Sequence, residues 1–203
     1  SKSTPLAVRF EEEFSTKFHL ANSEQRGFTM VTTIKTSDDK EALSFKHLKA
    51  HPDVLKVDLK APLQPGNFYD LSLEYILVIP DATFTNYGFT KSKEFELKHW
   101  YLTPAVYDGK WNYYSNKNLD DLFVPKSNLY LNITHPVNYR VTSELDVIAM
   151  NPNYNRRIQT TILSGNDRTD TYLSLRKYPL FGMVQTDDFI VMSNINEKGL
   201  RPQ

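Results

Sequence analysis

Apolar side chains recur along this chain with two different periods. Near the amino terminus, Leu6, Phe10, Phe14 and Phe18 return every four residues, with Arg9, Glu12, Glu13 and Lys17 between them. That spacing lays one apolar stripe along a helix. Thr4 suits the cap, Pro5 suits the first helical position, and the run Glu11-Glu12-Glu13 is poor strand material, so a helix over 5–18 is expected rather than a strand. The segment from Asn22 to Gly27 should end it.

From Phe28 onward the period falls to two. Phe28, Met30 and Ile34 are predicted to share one side of a strand, followed by a turn at 37–40 and short strands at 43–48 and 54–59. The strongest alternation places Tyr69, Leu71, Leu73, Tyr75, Leu77 and Ile79 on one face. Ile76 and Val78 make the other face apolar too, so that end should be covered on both sides, until Pro80 stops the strand. A loop over 81–92 leads to Phe95 and Leu97. Further strands are expected at 129–133, 139–141, 147–150, 157–163, 172–175, 181–184 and 189–192, with turns at 151–153 and 164–170. About ten short strands at this spacing predict a mainly β chain, an antiparallel sandwich or saddle of sheets with one short amino-terminal helix. The expected organisation is a helical segment at 1–27, a β-sandwich domain at 28–193 and a tail at 194–203.

Composition narrows the picture. The 203 residues are 40% hydrophobic and 13% aromatic, enough for a sizeable core. Lys plus Arg number 24, as do Asp plus Glu, so no general positive field marks the chain for nucleic acid. No apolar run is long enough for a transmembrane helix, and no signal peptide is read at Ser1, although a trimmed chain would look the same. Cysteine is absent, which excludes disulfides and thiolate chemistry but leaves periplasm, cell envelope and cytoplasm all open.

Motifs for catalysis are missing. There is no HExxH, no G-x-S-x-G elbow and no glycine-rich phosphate loop. His47 and His51 have helical metal spacing, but Pro52 disfavours a helix there, and a bland loop role is expected. Asp38-Asp39, Asp120-Asp121 and Asp187-Asp188 are adjacent pairs suited to turns rather than to acid–base work. Asn132-Ile133-Thr134 fits a glycosylation sequon on a predicted strand. The densest feature is the stretch 97–111, LKHWYLTPAVYDGKW, which reads as a fixed aromatic loop between two sets of strands. Trp100, Tyr101, Tyr107, Trp111, Tyr113 and Tyr114 either stack on a sugar or peptide or close one edge of the core. His99 either orients a ligand or packs as a structural histidine.

Three pieces occur in a suggestive order: DVLKVDL at 53–59 with APLQPG at 61–66 and LSLEY at 71–75; the aromatic stretch 97–111; and LYLNITHP at 129–136 with VTS at 141–143. Together they resemble the amino-terminal domain of M1-family (gluzincin) zinc aminopeptidases of the Bacteroidetes type, over about 28–192. That resemblance implies a β domain without metal, a hydrolase whose zinc and HExxH lie on a separate helical domain, and a peptide substrate met through that parent enzyme. It also implies missing leading strands, and an inserted amino-terminal helix. The family's domain lends a Gln or Glu to the substrate amine. Counting back from Pro104 reaches Lys93, with Glu94 and Glu96 nearby. The cleft candidates are therefore Glu94, Glu96, His99, Trp100, Tyr101, Tyr107 and Trp111, with no catalytic or metal residue and no cofactor in the chain itself. Two alternatives stand beside this: a stand-alone carbohydrate-binding sandwich, and an interaction module of the cell envelope.

Overall fold

The computed structural model describes residues 2–37, 41–113, 124–153, 157–177, 182–187 and 190–193. The chain is mainly β, a sandwich-like set of antiparallel sheets with three short helices at its amino end. Residues 38–40 of the turn expected at 37–40, Tyr114, Asp120-Asp121, Asp188, Phe181, Phe189 and the tail at 194–203 lie outside the described residues.

The single helix foreseen over 5–18 is instead α1 (Pro5–Glu12) and α2 (Lys17–Leu20), and the segment read as its ending forms α3 (Ser23–Arg26). The break falls at Phe14, whose φ of 57° is left-handed and whose ring is 93% exposed. The four-residue stripe thus loses one member, while Phe10 and Phe18 still meet with centroids 5.4 Å apart. Thr4 makes no side-chain cap, although Pro5 opens α1 as expected. Asn22 does cap: its side chain accepts from Gln25 N–H at 2.9 Å and Gln25 returns the bond, a capping box.

Strand β1 (Phe28–Thr36) pairs antiparallel with β4 (Leu71–Val78), and β2 (Phe45–His47) pairs with β3 (Leu55–Val57). The register of β1 against β4 shifts between Val31 and Thr33, so Phe28 and Met30 point outward while Ile34 is fully buried. One extra residue reverses the faces of a strand with period two, which is why the three expected on one side divide. Strand β4 also departs from its pattern. Tyr69 and Ile79 lie outside it, and Leu71, Leu73 and Ile76 are exposed, because β1 is its sole ladder partner among the described residues.

The main body is a four-stranded sheet facing a three-stranded one. The first has the order β10 (Tyr139–Ser143), β13 (Leu173–Lys177), β6 (Phe95–Leu97), β5 (Gly88–Phe89); the second has β11 (Asp146–Pro152), β12 (Ile158–Arg168), β9 (Ser127–Pro136). Strand β5 falls inside the segment read as loop, β11 reaches into the turn expected at 151–153, and β12 reaches into the one expected at 164–170. Leu97, Val141 and Leu173 of the first sheet meet Leu163 of the second and Leu145 of the β10–β11 connection in one core, with Phe95, Leu129, Leu131, Ile133 and Leu175 around it. Each fully buried Leu of this kind contributes about 1.5–3 kcal/mol. His135 is buried at one side of this core, held by Thr161 Oγ1 at 2.9 Å and the Pro136 carbonyl at 3.0 Å. The asparagine of the sequon, Asn132, lies exposed on β9.

Two hairpins complete the set: β7 (Val106–Tyr107) with β8 (Trp111–Asn112), and β14 (Gly182–Gln185) with β15 (Ile190–Ser193). The helical segment sits on the turn after β4. Phe18 meets Phe84 edge-on at 5.2 Å, and Asp81 N–H donates to the Gln25 carbonyl at 2.8 Å. Gly88, at φ 136°, lets this turn close, since a Cβ there would collide with the Pro80 carbonyl.

Candidate functional site

The first polar cluster grows from strand alternation. On β6, Phe95 and Leu97 face the core, so Glu96 must face the other way. Opposite it in register stands Ser174 of β13, flanked on the same face by Tyr172 and Arg176. Glu96 is 8% exposed and engaged at both oxygens: Oε1 accepts from Arg176 Nε and Nη2, each at 2.5 Å, and Oε2 accepts from the Tyr172 hydroxyl. Burial, then the hydrogen bond to Glu96, pushes the Tyr172 phenol up to about 12. Burial works against the Arg176 cation, but the hydrogen bond and charge of Glu96 outweigh it and raise its pKa. A carboxylate occupied in this way is a structural anchor. Glu94, two residues earlier and half-buried, adds its charge to that of Glu96 at Arg176, and its backbone closes a turn with Thr90.

A second group gathers where β6 ends. His99, at φ 52°, brings its Nδ1 to 3.4 Å from Asp170 Oδ1, and the Asp170 carboxylate also accepts from Thr171 N–H at 2.7 Å. Tyr101 lies beside them; burial, then the charges of Asp170 and Glu144, raise its pKa. Glu144 accepts the Tyr172 N–H at 3.0 and 3.1 Å, which ties this corner to the first cluster. His99, Tyr101 and Asp170 line a hollow of about 90 Å³ with Thr103, Val124 and Thr169.

The aromatic stretch therefore does not act as one platform. Trp100 packs against the core and stacks edge-on with Tyr101 at 5.3 Å. Tyr107 and Trp111 stand out on the β7–β8 hairpin, 63% and 62% exposed, with ring planes crossed at 63° and centroids 5.1 Å apart. Tyr113 meets His51 edge-on at 5.1 Å, and His47 Nδ1 is bonded to the Pro52 carbonyl at 3.0 Å. Among the described residues, no three of His, Asp or Glu come together as a metal set. None of their helices is long and apolar enough to cross a membrane.

Of the seven cleft candidates, the structure gathers His99 with Tyr101, sends Glu96 into the ion-pair cluster and Trp100 toward the core, leaves Glu94 beside β6, and presents Tyr107 with Trp111 to solvent. Asp170, Tyr172 and Arg176 were not singled out from the sequence. The alternation Tyr172-Leu173-Ser174-Leu175-Arg176 was the available signal, since it puts three polar side chains on one face. Compared with known proteins, the chain matches no family model, and no curated protein or solved structure shows significant similarity to it.

Proposed function

We propose that the chain is a non-catalytic amino-terminal β domain of an M1-like zinc metallopeptidase, forming one wall of a substrate cleft. Peptide hydrolysis would belong to a helical HExxH domain of the same polypeptide. The observation that carries the reading is the order of the three motifs at 53–75, 97–111 and 129–143. The exposed Tyr107–Trp111 hairpin adds to it, because two large apolar rings on a protruding turn suit a partner surface. Zinc, which the resemblance implies for the parent, finds no fitting donor set among the described residues, so no metal-dependent step is assigned to this chain. Glu96 is not offered as the amine anchor, since Arg176 and Tyr172 hold both its oxygens.

The test has two parts. The gene should continue past Gln203 into an HExxH segment, and the 203 residues alone should leave aminoacyl-arylamides intact. Hydrolysis by the isolated chain overturns the reading. A reading frame that closes without HExxH does the same.

A stand-alone carbohydrate-binding module is the second reading, favoured by the exposure of Trp111 and Tyr107. The crossed planes of these rings count against a flat sugar platform, which needs parallel faces. Calorimetry across a broad glycan panel, with Trp111→Ala as control, decides it: binding lost on substitution supports this reading, and silence across the panel removes it.

A further inference from the structure

The hollow beyond the end of β6 holds more acceptors than the fold uses. Asp170 engages both of its partners through one oxygen: Oδ1 lies 3.4 Å from His99 Nδ1 and 2.7 Å from the Thr171 nitrogen, whose N–H it accepts. Oδ2 meets no donor among the described residues, and the carboxylate is 24% exposed, within reach of a small solute. Tyr101, Thr103 and Thr169 add three hydroxyls to the lining, none of them hydrogen-bonded to a described residue. One carboxylate oxygen and three hydroxyls thus line a space of about 90 Å³ without a partner among the described residues.

The potential there is negative. Burial first, then the charges of Asp170 and Glu144, raise the Tyr101 pKa, so two carboxylates act on one phenol. Glu144 is itself fixed by the Tyr172 N–H. A cation that donates several hydrogen bonds suits such a place. An ammonium is a compact, strongly hydrated point charge with three donors. A guanidinium is flat, carries five donors, is more weakly hydrated and stacks on rings. The Tyr101 ring, the His99 imidazole and Val124 give the hollow flat and apolar surface beside its acceptors, which favours the guanidinium. The chain already makes this pairing once, where the Arg176 guanidinium meets the Glu96 carboxylate with the Tyr172 phenol on the same group. Size agrees: drug-sized molecules need ~300–1,000 Å³, so this space admits a headgroup and not a whole ligand.

We propose that the hollow lined by Asp170, Tyr101, Thr103 and Thr169 receives the guanidinium of an arginine side chain in a peptide. Asp170 Oδ2 supplies the counter-charge, and the hydroxyls accept the remaining N–H groups. Since His99 and Tyr101 are cleft candidates, the inference deepens the peptidase reading, and it rests on that reading for the peptide as the source of the arginine.

The test is calorimetry on the 203-residue chain with Nα-acetyl-arginine amide, its neutral isostere Nα-acetyl-citrulline amide, and Nα-acetyl-lysine amide. Trp100, stacked edge-on with Tyr101 at 5.3 Å, gives a second readout through its emission in a Trp111→Phe background. The arginine compound should bind saturably, the citrulline compound about tenfold more weakly, and the lysine compound about threefold more weakly. Asp170→Asn keeps an acceptor for the Thr171 N–H but loses the charge. It should weaken arginine about tenfold and leave citrulline within about twofold, with circular dichroism unchanged. Tyr101→Phe should weaken arginine about threefold, and it carries the test if Asp170→Asn does not fold. Citrulline or lysine binding as tightly as arginine overturns the proposal. So does undiminished arginine affinity in a folded Asp170→Asn, or the absence of saturable arginine binding by both methods. The two readings fail separately: a reading frame that closes without HExxH leaves the arginine site standing, and a chain that ignores arginine leaves the HExxH test untouched.

Discussion

Glu96 precedes the stretch 97–111 and Trp111 ends it, yet one is enclosed and the other is presented to solvent. The difference is one of neighbours rather than of polarity. Glu96 lies on β6, which has β13 on one side and β5 on the other, and its outward face looks into the space beneath the helices. Trp111 lies on a two-strand hairpin whose ladder pairs with nothing further among the described residues. A charged residue is thus buried and an indole exposed because sheet position, not side-chain hydropathy, decides what covers each. Burial of the carboxylate is tolerable since a guanidinium and a phenol satisfy it.

That contrast can be broken most sharply at Glu96. Replacing it with Ala leaves the Arg176 guanidinium without its counter-charge in a partly buried site. Loss of one partner of a buried pair typically costs 3–5 kcal/mol; Arg176 keeps some contact with solvent, so about 3 kcal/mol is expected by urea denaturation. Arg176→Met in the Glu96→Ala background should recover part of that loss. Next in size is Tyr172→Phe, which removes one hydrogen bond to a charged acceptor and should cost about 1.5 kcal/mol.

Alkaline pH sharpens the same point. The phenol of Tyr172 is raised from 10.0 to about 12 in the folded chain, so the folded state holds that proton more tightly than the unfolded one. Its contribution is complete below pH 10.0 and is lost as pH climbs toward about 12. Denaturation midpoints measured across that window should fall, and they should fall less steeply in Tyr172→Phe. Tyr101, raised in the same direction, leaves a residual slope.

The hairpin should respond more weakly. Gly109 has φ 69° and open space around it, so Gly109→Ala meets backbone strain alone, about 1 kcal/mol, read as faster amide exchange in β7 and β8. Trp111→Ala should shift the global melting midpoint least, within about 0.5 kcal/mol, while removing whatever the hairpin binds. A large destabilisation by Trp111→Ala would mean that the ring is covered in solution and would erase the contrast with Glu96.

The alternation in β9, β10, β12 and β13 was readable from the residues, and with it the sandwich. Leu129, Leu131, Ile133, Val141, Leu163 and Leu173 all fall where period two puts them. What escaped was local. Nothing in the identity of Phe14 announces a left-handed residue, and nothing in Val31-Thr32-Thr33 announces a bulge. The ion-pair cluster was half legible: Glu96 was noticed by counting back from Pro104, but its partner stands 80 positions away in sequence. Only the register of β6 against β13 brings them together. How the aromatic stretch divides was not legible, because composition counts rings without saying which side of a strand each one leaves.

The bulge in β1 has a consequence for the whole amino end. Thr32 is the inserted residue, and its hydroxyl donates to the Glu74 carbonyl at 3.0 Å, which pins the irregularity to the neighbouring strand. Everything upstream of it, the three helices included, is hung on the chain through a reversal that this one residue supplies. Deleting Thr32 would make the strand obey a simple alternation, and by doing so it would turn Gly27 away from Pro80 and lift the roof off the space below. The tidier sequence would build the less complete protein.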